Sequence, residues 1–232
     1  MLAHLFGPPD DWPSADLIAF SDEFDAGLAL AGYRSGVFPM PLHVRGFDQQ
    51  MGWWSPVHRG VLPLAGVRVS HSLRQSAKKY RTSVDTAFDE VIRHCGDPRR
   101  PGGWIDDAII GAYTDMYRSG LVHSVETWDA EGRLVGGLYG VSLNGLFAGE
   151  SMFHDAALGR DASKVALLRL VGILSDGHDR LLDVQWRTDH LGSLGAIEIP
   201  RDTYLARLDA ALGQPSVDWP PPDPTAREGR HA

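Results

Sequence analysis

Three strand-like runs near the middle of the 232-residue chain constrain its fold more than any other feature. They cover residues 122–128, 134–141 and 146–153, and the polar segments DAEGR and SLNG separate them. The second of these segments contains Asn144-Gly145, a pair that favours the tight turn of a β-hairpin. The pattern therefore predicts an antiparallel meander.

A long apolar segment follows the meander. Between positions 165 and 174 of the stretch DASKVALLRLVGILSDG, Arg169 is the one charged residue. Such a segment is typical of a largely buried helix. Asp161 is suited to cap its start and Gly177 to end it.

The remaining segments predict further helices and one more strand. Residues 181–186 (LLDVQW) have the composition of a short strand. Apolar spacing or composition predicts helices at the start of 71–83, at 85–94, at 105–119 and at 201–212. A meander, then a buried helix, then another strand indicates an α+β fold. From Gly213 onward the chain is rich in proline and polar residues, so residues 213–232 are predicted to be disordered.

Composition excludes several classes of protein. The chain has no run of about 18 apolar residues, and its start, MLAHLFGPPD, lacks the pattern of a signal peptide. The single cysteine, Cys95, excludes an internal disulfide, and the ten histidines show no HxxxH or HExxH spacing. We therefore expect a cytoplasmic protein without a metal site. A net charge of −8 disfavours a broad nucleic-acid surface and suits a cationic substrate better.

Two polar residues on the strand at 181–186 are candidates for function. Asp183 and Gln185 are two positions apart, so both side chains leave the same face of a strand. The other face carries Leu182, Val184 and Trp186, which suits a core. The alternative is that the polar face is simply solvated.

Glu150 is a second anomaly, because it lies in the otherwise apolar strand LFAGESMF and shares a face with Ala148 and Met152. A carboxylate among hydrophobic side chains is costly unless it has a partner, and such positions are enriched in function. Lys164 is a possible partner. The alternative is an edge strand that points Glu150 at water.

Three tryptophans can be read in two ways. Trp53, Trp54 and Trp104 have the ring surface on which single-stranded nucleobases stack. Tryptophans are more commonly part of a core, and the sequence leaves both interpretations open.

Taken in order, these segments resemble the bacterial leucyl/phenylalanyl-tRNA–protein transferases from about residue 33 to residue 208. Each motif is weak alone, but the ordered set is specific. The motifs are YRSGVFP at 33–39, WWSP at 53–56 with Arg59, HSVETW at 123–128, LVGGLYGV at 134–141, LFAGESMF at 146–153, ASKVAL at 162–167, LLDVQ at 181–185 and HLGSLGAIEIPR at 190–201. Met40 stands where the family commonly has tryptophan.

The resemblance implies a fold, an activity and partners. A small N-terminal domain at 1–62 would precede an N-acetyltransferase-like domain with a mostly antiparallel sheet at 63–212. The implied reaction moves Leu, Phe or Met from aminoacyl-tRNA to the α-amine of proteins that begin with Arg or Lys, which marks them for degradation. It needs no cofactor, and we expect a monomer.

The resemblance also implies roles for individual residues. Asp183 and Gln185 match the proposed catalytic pair, with Asp183 accepting the amine's proton directly or through Gln185, and Glu150 lies near the donor's amino group. The apolar pocket for the donor side chain would comprise Leu138, Phe147, Met152 and Leu170. The tRNA end would be seated by Trp104, Trp53, Trp54 and Tyr33. The tRNA backbone would be met by Arg74, Lys78, Lys79 and Arg81, for which a solvated helix face is the alternative.

Two other functions compete with this interpretation. An acyl-coenzyme A-dependent N-acetyltransferase needs an R/Q-x-x-G-x-G/A turn between a strand and a helix. The nearest match, residues 133–138, lacks the last glycine and continues into a strand. A non-catalytic tRNA-binding adaptor is the other alternative, and the presence of Asp183, Gln185 and Glu150 argues against it.

Overall fold

A computed structural model describes residues 5–42, 50–100 and 103–228 of the protein. Its N-terminal part contains a small antiparallel sheet in the order β1-β3-β2. These strands are β1 (Leu17–Ser21), β2 (Phe38–Pro41) and β3 (Met51–Trp54), and helix α1 (Ala26–Ser35) lies between the first two in sequence. Asp25 begins α1 by accepting a hydrogen bond from the backbone N–H of Leu28.

A seven-stranded sheet forms the larger part of the molecule, in the order β10-β4-β9-β8-β7-β6-β5. The strands are β4 (His58–Val61), β5 (Arg81–Val84), β6 (Val122–Trp128), β7 (Leu134–Leu143), β8 (Leu146–His154), β9 (Leu181–Gln185) and β10 (Ile197–Pro200). All neighbours pair antiparallel except β8 and β9. The predicted α+β fold with a mostly antiparallel sheet is therefore confirmed.

Helices cover both faces of this sheet. The helices are α2 (His71–Ala77), α3 (Phe88–Cys95), α4 (Asp107–Arg118), α5 (Ala162–Leu174), α6 (Asp189–Ser193) and α7 (Arg201–Leu212). Neighbouring residues of β7 point to opposite faces, so Leu138 packs in the apolar cluster of α5 and Tyr139 in that of α3 and α4. At 13 residues, α5 is the longest helix of the described chain, and none of the described helices could cross a membrane.

The meander is present as predicted, in strands β6, β7 and β8. Asn144 adopts a φ of 54°, the left-handed conformation that the tight turn between β7 and β8 requires. Residues 201–212, predicted as the final helix, coincide with α7.

The buried helix begins at the predicted N-cap residue, but that residue does not cap it through its side chain. Asp161 lies at the N-cap of α5, but with a φ of 63° its side chain makes no capping hydrogen bond. Its carboxylate instead accepts hydrogen bonds from Lys164 Nζ at 2.9 Å and Ser76 Oγ at 3.0 Å. The bond from Ser76, a residue of α2, ties the start of α5 to that helix.

The disorder predicted from Gly213 onward is also wrong for residues 213–228, whereas residues 229–232 lie outside the described chain. Val217 is buried in the α5 cluster, and the ring of Trp219 stacks on His123 with 4.2 Å between centroids. Arg81 donates to the backbone oxygen of Ala226 at 2.9 Å. Two apolar anchors and arginine donors to its carbonyls therefore hold a segment whose proline content suggested a flexible tail.

Candidate active site

A cavity of about 370 Å³ opens beside the seven-stranded sheet, between β7, β8 and β9 on one side and α5 and α6 on the other. Its wall is mainly apolar, and its polar groups are concentrated near β8 and β9. The lining residues are Met40, Arg100, Trp104, Leu138, Tyr139, Phe147, Gly149, Glu150, Ser151, Met152, Leu167, Leu170, Leu182, Val184, Gln185, Trp186, Thr188, His190 and Leu191. An apolar cavity with a few convergent polar groups is the usual form of a small-ligand site.

The four residues predicted to hold the donor side chain all line this cavity. Leu138 on β7 faces Met152 on β8 across the sheet, while Phe147 is on β8 and Leu170 on α5. Leu167 also lines the cavity and was not among the residues predicted from the sequence. It precedes Leu170 by three positions, and residues with this spacing share one face of a helix, so it could have been identified.

Glu150 is the charged centre of the cavity wall. Its Oε2 accepts a hydrogen bond from Tyr113 Oη at 2.9 Å, and its Oε1 accepts one from Gln185 Nε2 at 3.1 Å. Tyr113 is in turn hydrogen-bonded to the hydroxyl of Tyr33. Burial raises the pKa of Glu150 to about 7, although hydrogen bonds to its carboxylate oppose the shift.

Both sequence-based suggestions about the surroundings of Glu150 are wrong. Lys164 pairs with Asp161, so it is not the partner of Glu150. Strand β8 lies between β7 and β9, so it is not an edge strand, and Glu150 is 7% exposed.

Asp183 lies behind the cavity wall and is 0% exposed, so the solvated-face alternative is wrong for it. Arg59 Nε donates to its Oδ1 at 2.9 Å, and Arg59 Nη2 donates to its Oδ2 at 2.6 Å. Tyr204 Oη donates to Oδ2 at 2.8 Å, and the backbone N–H of Gln185 donates to Oδ1 at 2.9 Å. Two ionised oxygens offer about four lone-pair sites, so these four donors saturate the carboxylate.

Arg59 is held as firmly as its partner. It is 1% exposed, and its guanidinium lies over the rings of Phe38 and Tyr204, at 4.6 and 4.2 Å from their centroids. It also donates to the backbone oxygen of Gly36 at 3.2 Å. Direct proton acceptance by Asp183, as the sequence suggested, does not fit this closed ion pair.

Gln185 reaches the cavity through an unusual backbone conformation. Its φ is 63°, and the pairing of β9 with β4 has an irregular register beside it. Gly60 on β4 allows the backbone after Gln185 to pass close to it, because a Cβ at position 60 would lie 2.8 Å from the backbone nitrogen of Arg187. Strain of this kind in a non-glycine residue is found mainly where function requires it.

The face of β9 that was expected to be core lines the cavity. Leu182, Val184 and Trp186 all contribute to its wall. The ring of Trp186 packs edge-on against Phe38 at 4.8 Å between centroids, and its Nε1 donates to Asp16 Oδ2 at 3.0 Å. Apolar residues on one face of a strand have the same sequence pattern whether they face a core or an apolar pocket. The sequence therefore could not distinguish these two locations.

The four aromatic residues predicted to bind the tRNA end differ in their exposure and in their position relative to the cavity. Trp104 is half-buried and lines the cavity. Trp54 is outside the lining and packs on Trp186, with 5.7 Å between ring centroids. Tyr33 and Trp53 are 1% and 2% exposed, so stacking of a nucleobase on them does not fit. Burial of their rings in the N-terminal core is the reason.

The predicted basic residues lie on α2 and just after it. Arg74, Lys78 and Lys79 are exposed. Arg81 is not free to bind phosphate, because its guanidinium donates to backbone oxygens of residues 225, 226 and 228.

A second cleft, which the sequence analysis missed, adjoins the cavity and shares Arg100, Met152 and His190 with it. Arg160 adds positive charge to its wall, where Lys164 is paired with Asp161, and Arg100 is fixed by donating to the backbone oxygens of Cys95 at 2.9 Å and Met152 at 2.7 Å. Tyr80 Oη, next to the basic residues of α2, donates to the backbone oxygen of Arg160 at 2.9 Å. This basic cleft therefore leads from the cavity mouth toward α2.

Comparison with known proteins places most of the chain in one family. Residues 61–209 match the model of the leucyl/phenylalanyl-tRNA protein transferases, and residues 22–57 match the model of their N-terminal domain. A leucyl/phenylalanyl-tRNA–protein transferase of Rhizorhabdus wittichii is 51% identical over 82% of this chain and 75% of its own length. One from an Anaeromyxobacter species is 43% identical over 91% and 89%. Among solved structures, L-PGS from Bacillus licheniformis is similar at a TM-score of 0.39, with 9% identity over 59% of this chain and 48% of that one.

Proposed function

The chain belongs to the leucyl/phenylalanyl-tRNA–protein transferase family, and we propose that it transfers Leu or Phe from aminoacyl-tRNA to the α-amine of a protein N-terminus. The observation that carries the proposal is the family match over both parts of the chain. The apolar cavity that ends at Glu150 and Gln185 supports it, because such a cavity suits an uncharged donor side chain beside a polar reaction centre. The two family matches adjoin between residues 57 and 61, which supports a domain boundary close to the predicted one at 62.

The donor side chain would enter the apolar part of the cavity. Leu138, Phe147, Met152 and Leu170 surround a space that can accept Leu, Phe or Met without an unpaired polar group. Binding there is driven by removal of apolar surface from water. The ester carbonyl would then lie at the polar end, near Gln185 and Glu150.

The terminal nucleotides of the donor would leave the cavity over Trp104 and the basic cleft. Trp104 offers a half-buried ring at the mouth, on which an adenine can stack. Arg160 offers positive charge to the phosphates that follow, whereas Lys164 is paired with Asp161 and Arg100 donates to backbone oxygens. This local charge answers the objection that a chain with a net charge of −8 is a poor binder of RNA.

The acceptor would be a protein that begins with Arg or Lys. An overall acidic protein attracts a cationic N-terminus at long range. Its α-amine has a pKa of about 7.7–8.0, so part of it is neutral and nucleophilic at neutral pH. The aminoacyl ester is already activated, so alignment of the amine with the carbonyl supplies most of what the reaction needs. We place this activity in the cytoplasm, in a monomer, as part of the marking of proteins for degradation.

Incubation with radiolabelled Leu-tRNA and peptides that begin with Arg, Lys or Ala tests the proposal. We expect label on the Arg and Lys peptides and little on the Ala peptide. Equal labelling of all three would retain the transferase activity but refute the acceptor preference. Absence of any labelling by folded protein, with Phe-tRNA and Met-tRNA also inactive, would refute the function.

A further inference from the structure

The site contains two buried carboxylates, Glu150 and Asp183. Glu150 lines the cavity, whereas the oxygens of Asp183 are already fully hydrogen-bonded. From this difference we infer that Glu150, and not Asp183, takes the proton that the acceptor's α-amine loses during transfer. The inference rests on the proposed aminoacyl transfer and deepens it. It assigns the proton to a particular carboxylate and gives Asp183 a positioning role.

Asp183 has no room for an incoming proton donor. Among the described residues it accepts four hydrogen bonds, two from Arg59, one from Tyr204 and one from the backbone of Gln185. These occupy its lone pairs, and its side chain is 0% exposed. For a substrate amine to reach it, the Arg59–Asp183 pair would have to open inside the protein.

Glu150 is placed differently. Its hydrogen-bond partners are Tyr113, Gln185 and Tyr33, so at least one of the four or so lone-pair sites of its carboxylate stays open to another donor. It lines the cavity beside the apolar donor pocket, together with Gln185. Burial raises the pKa of its carboxyl to about 7, which matches a general base to neutral pH better than an ordinary carboxylate would.

In the part of the chain that the structure describes, the titratable groups around Glu150 do not compete with it for this task. The groups that face Glu150 are Tyr33 on α1, Tyr113 on α4, Tyr139 on β7, Asp183 on β9 and Tyr204 on α7. Burial raises the pKa of each of these tyrosines, so their hydroxyls stay protonated at neutral pH and do not act as the base. The charge of Asp183 disfavours ionisation of Glu150 and so strengthens it as a base.

The proton can be followed through one turnover. The neutral α-amine attacks the ester carbonyl carbon, a C–N bond forms, and Glu150 takes one proton from the nitrogen. The bond from that carbon to the ribose oxygen then breaks, and Glu150 returns the proton to the departing oxygen. The products are an amide and a free ribose hydroxyl, and the carboxylate is regenerated without any other reactant.

Gln185 and Tyr113 hold the base in position. Gln185 Nε2 and Tyr113 Oη each fix one oxygen of Glu150, and Gln185 is itself fixed by its backbone hydrogen bond to Asp183. Asp183 therefore acts on the reaction through Gln185. Asp183 can thus affect catalysis without touching the substrate, although its carboxylate has no free lone pair.

The matched variants Glu150→Gln and Glu126→Gln test the inference. Glu126 is also a buried glutamate with a raised pKa in the same sheet, but it lies outside the cavity lining and is bound by Ser83 and Ser124. We expect Glu150→Gln to lower the single-turnover rate of Leu transfer by about 10²–10⁴-fold, the usual contribution of a general base. Glu126→Gln should remain close to the wild-type rate, and Glu150→Asp should recover part of the loss.

The pH profile separates a base from a merely structural residue. Below pH 7, log(kcat/KM) for the acceptor should rise with a slope of two in the wild type, because both Glu150 and the α-amine must lose a proton. The slope should fall to one in Glu150→Gln and remain two in Glu126→Gln. A slope of two in folded Glu150→Gln would overturn the inference.

A donor without an amino group distinguishes proton transfer from binding of the donor's α-amine. Phenyllactyl-tRNA carries a hydroxyl in place of that amine. With this donor, we expect Glu150→Gln to cost as much as it does with Phe-tRNA. If the cost disappears, Glu150 binds the donor amine and is not the base. If wild-type protein transfers neither acyl group, the proposed function fails, whatever Glu150 does.

Discussion

Two buried carboxylates on neighbouring strands have opposite surroundings, Asp183 on β9 at the closed side of the site and Glu150 on β8 at its reactive side. On the closed side, Asp183 is surrounded by Arg59 and Tyr204, and each of its oxygens already accepts two hydrogen bonds. On the reactive side, Glu150 borders the cavity and is hydrogen-bonded to Gln185, Tyr113 and Tyr33. A buried ion pair resists change, whereas a buried carboxylate without a cation partner is strained toward protonation. The first is suited to hold the site and the second to react in it.

The largest effect should come from breaking the closed side. Asp183→Asn leaves Arg59 charged and buried without its partner, which typically costs about 3–5 kcal/mol of stability. Chemical denaturation followed by circular dichroism measures this loss. Adding Arg59→Met should restore most of it, because the orphaned charge is then gone. Full stability of the single variant would show that water or another group reaches Arg59, and the contrast between the two sides would fail.

Substitution of Glu150 should raise the stability of the protein, whereas substitution of Asp183 should lower it. Because burial raises the pKa of Glu150 from 4.5 to about 7, folding favours its protonated form, and this residue's contribution to stability falls as pH rises from 4.5 to 7. Glu150→Gln removes the penalty, so the variant should exceed the wild type by up to about 3 kcal/mol at pH 8, at about 1.4 kcal/mol per pH unit.

The two proteins should approach equal stability near pH 4. Free energies of unfolding in urea at pH 4, 6 and 8 provide the measurement. A difference that does not change with pH would mean that Glu150 has an ordinary pKa.

Much of the fold could be predicted from the sequence, because it is encoded in local patterns. The meander follows from three strand-like runs separated by polar segments and from Asn144-Gly145, and α7 was predicted with its observed bounds of Arg201–Leu212. The four donor-pocket residues were located through resemblance to a family, and the structure places all four in one cavity.

The electrostatics of the site could not be predicted in the same way. The pairing of Asp183 with Arg59 joins residues 124 positions apart, and no local pattern reports it. The positive φ of Gln185 depends on the neighbouring Gly60 of β4, so the strand pattern alone gave no sign of it. Trp53 and Tyr33 were expected at the substrate because aromatic composition does not distinguish a stacking platform from a core.

The selection of the donor side chain can be tested by reducing the volume of the apolar part of the cavity. Leu138→Phe places a larger ring opposite Met152, so transfer of Phe should suffer more than transfer of Leu. A methylene in such a pocket is worth about 1–3 kcal/mol, or about 10–200-fold in the ratio of kcat/KM values. Competition between Phe-tRNA and Leu-tRNA measures that ratio. Leu168→Phe, on α5 outside the lining, is the control, and an unchanged ratio for Leu138→Phe would exclude this wall from donor selection.

The basic cleft should give the smallest effect, and one that depends on salt. Arg160→Ala removes one candidate phosphate contact, so the slope of log affinity against log salt should become shallower by about one. Binding of uncharged tRNA at several KCl concentrations, from about 50 to about 200 mM, measures it. Arg118→Ala, an exposed change on α4 away from the cleft, should leave the slope unchanged. Equal slopes for both variants would show that the tRNA does not bind in the basic cleft at Arg160.

The most direct test of the contrast between Asp183 and Glu150 is the single-turnover rate of Leu transfer by the double variant Arg59→Met/Asp183→Asn. This protein lacks the charge of Asp183 without leaving Arg59 unpaired, and the introduced asparagine can still accept the hydrogen bond from the backbone of Gln185. If Asp183 only positions Gln185, the folded double variant should transfer Leu at a rate far closer to wild type than a lost general base would allow, within about tenfold. A loss of about 10²–10⁴-fold at unchanged stability would identify Asp183 as the base and contradict the account.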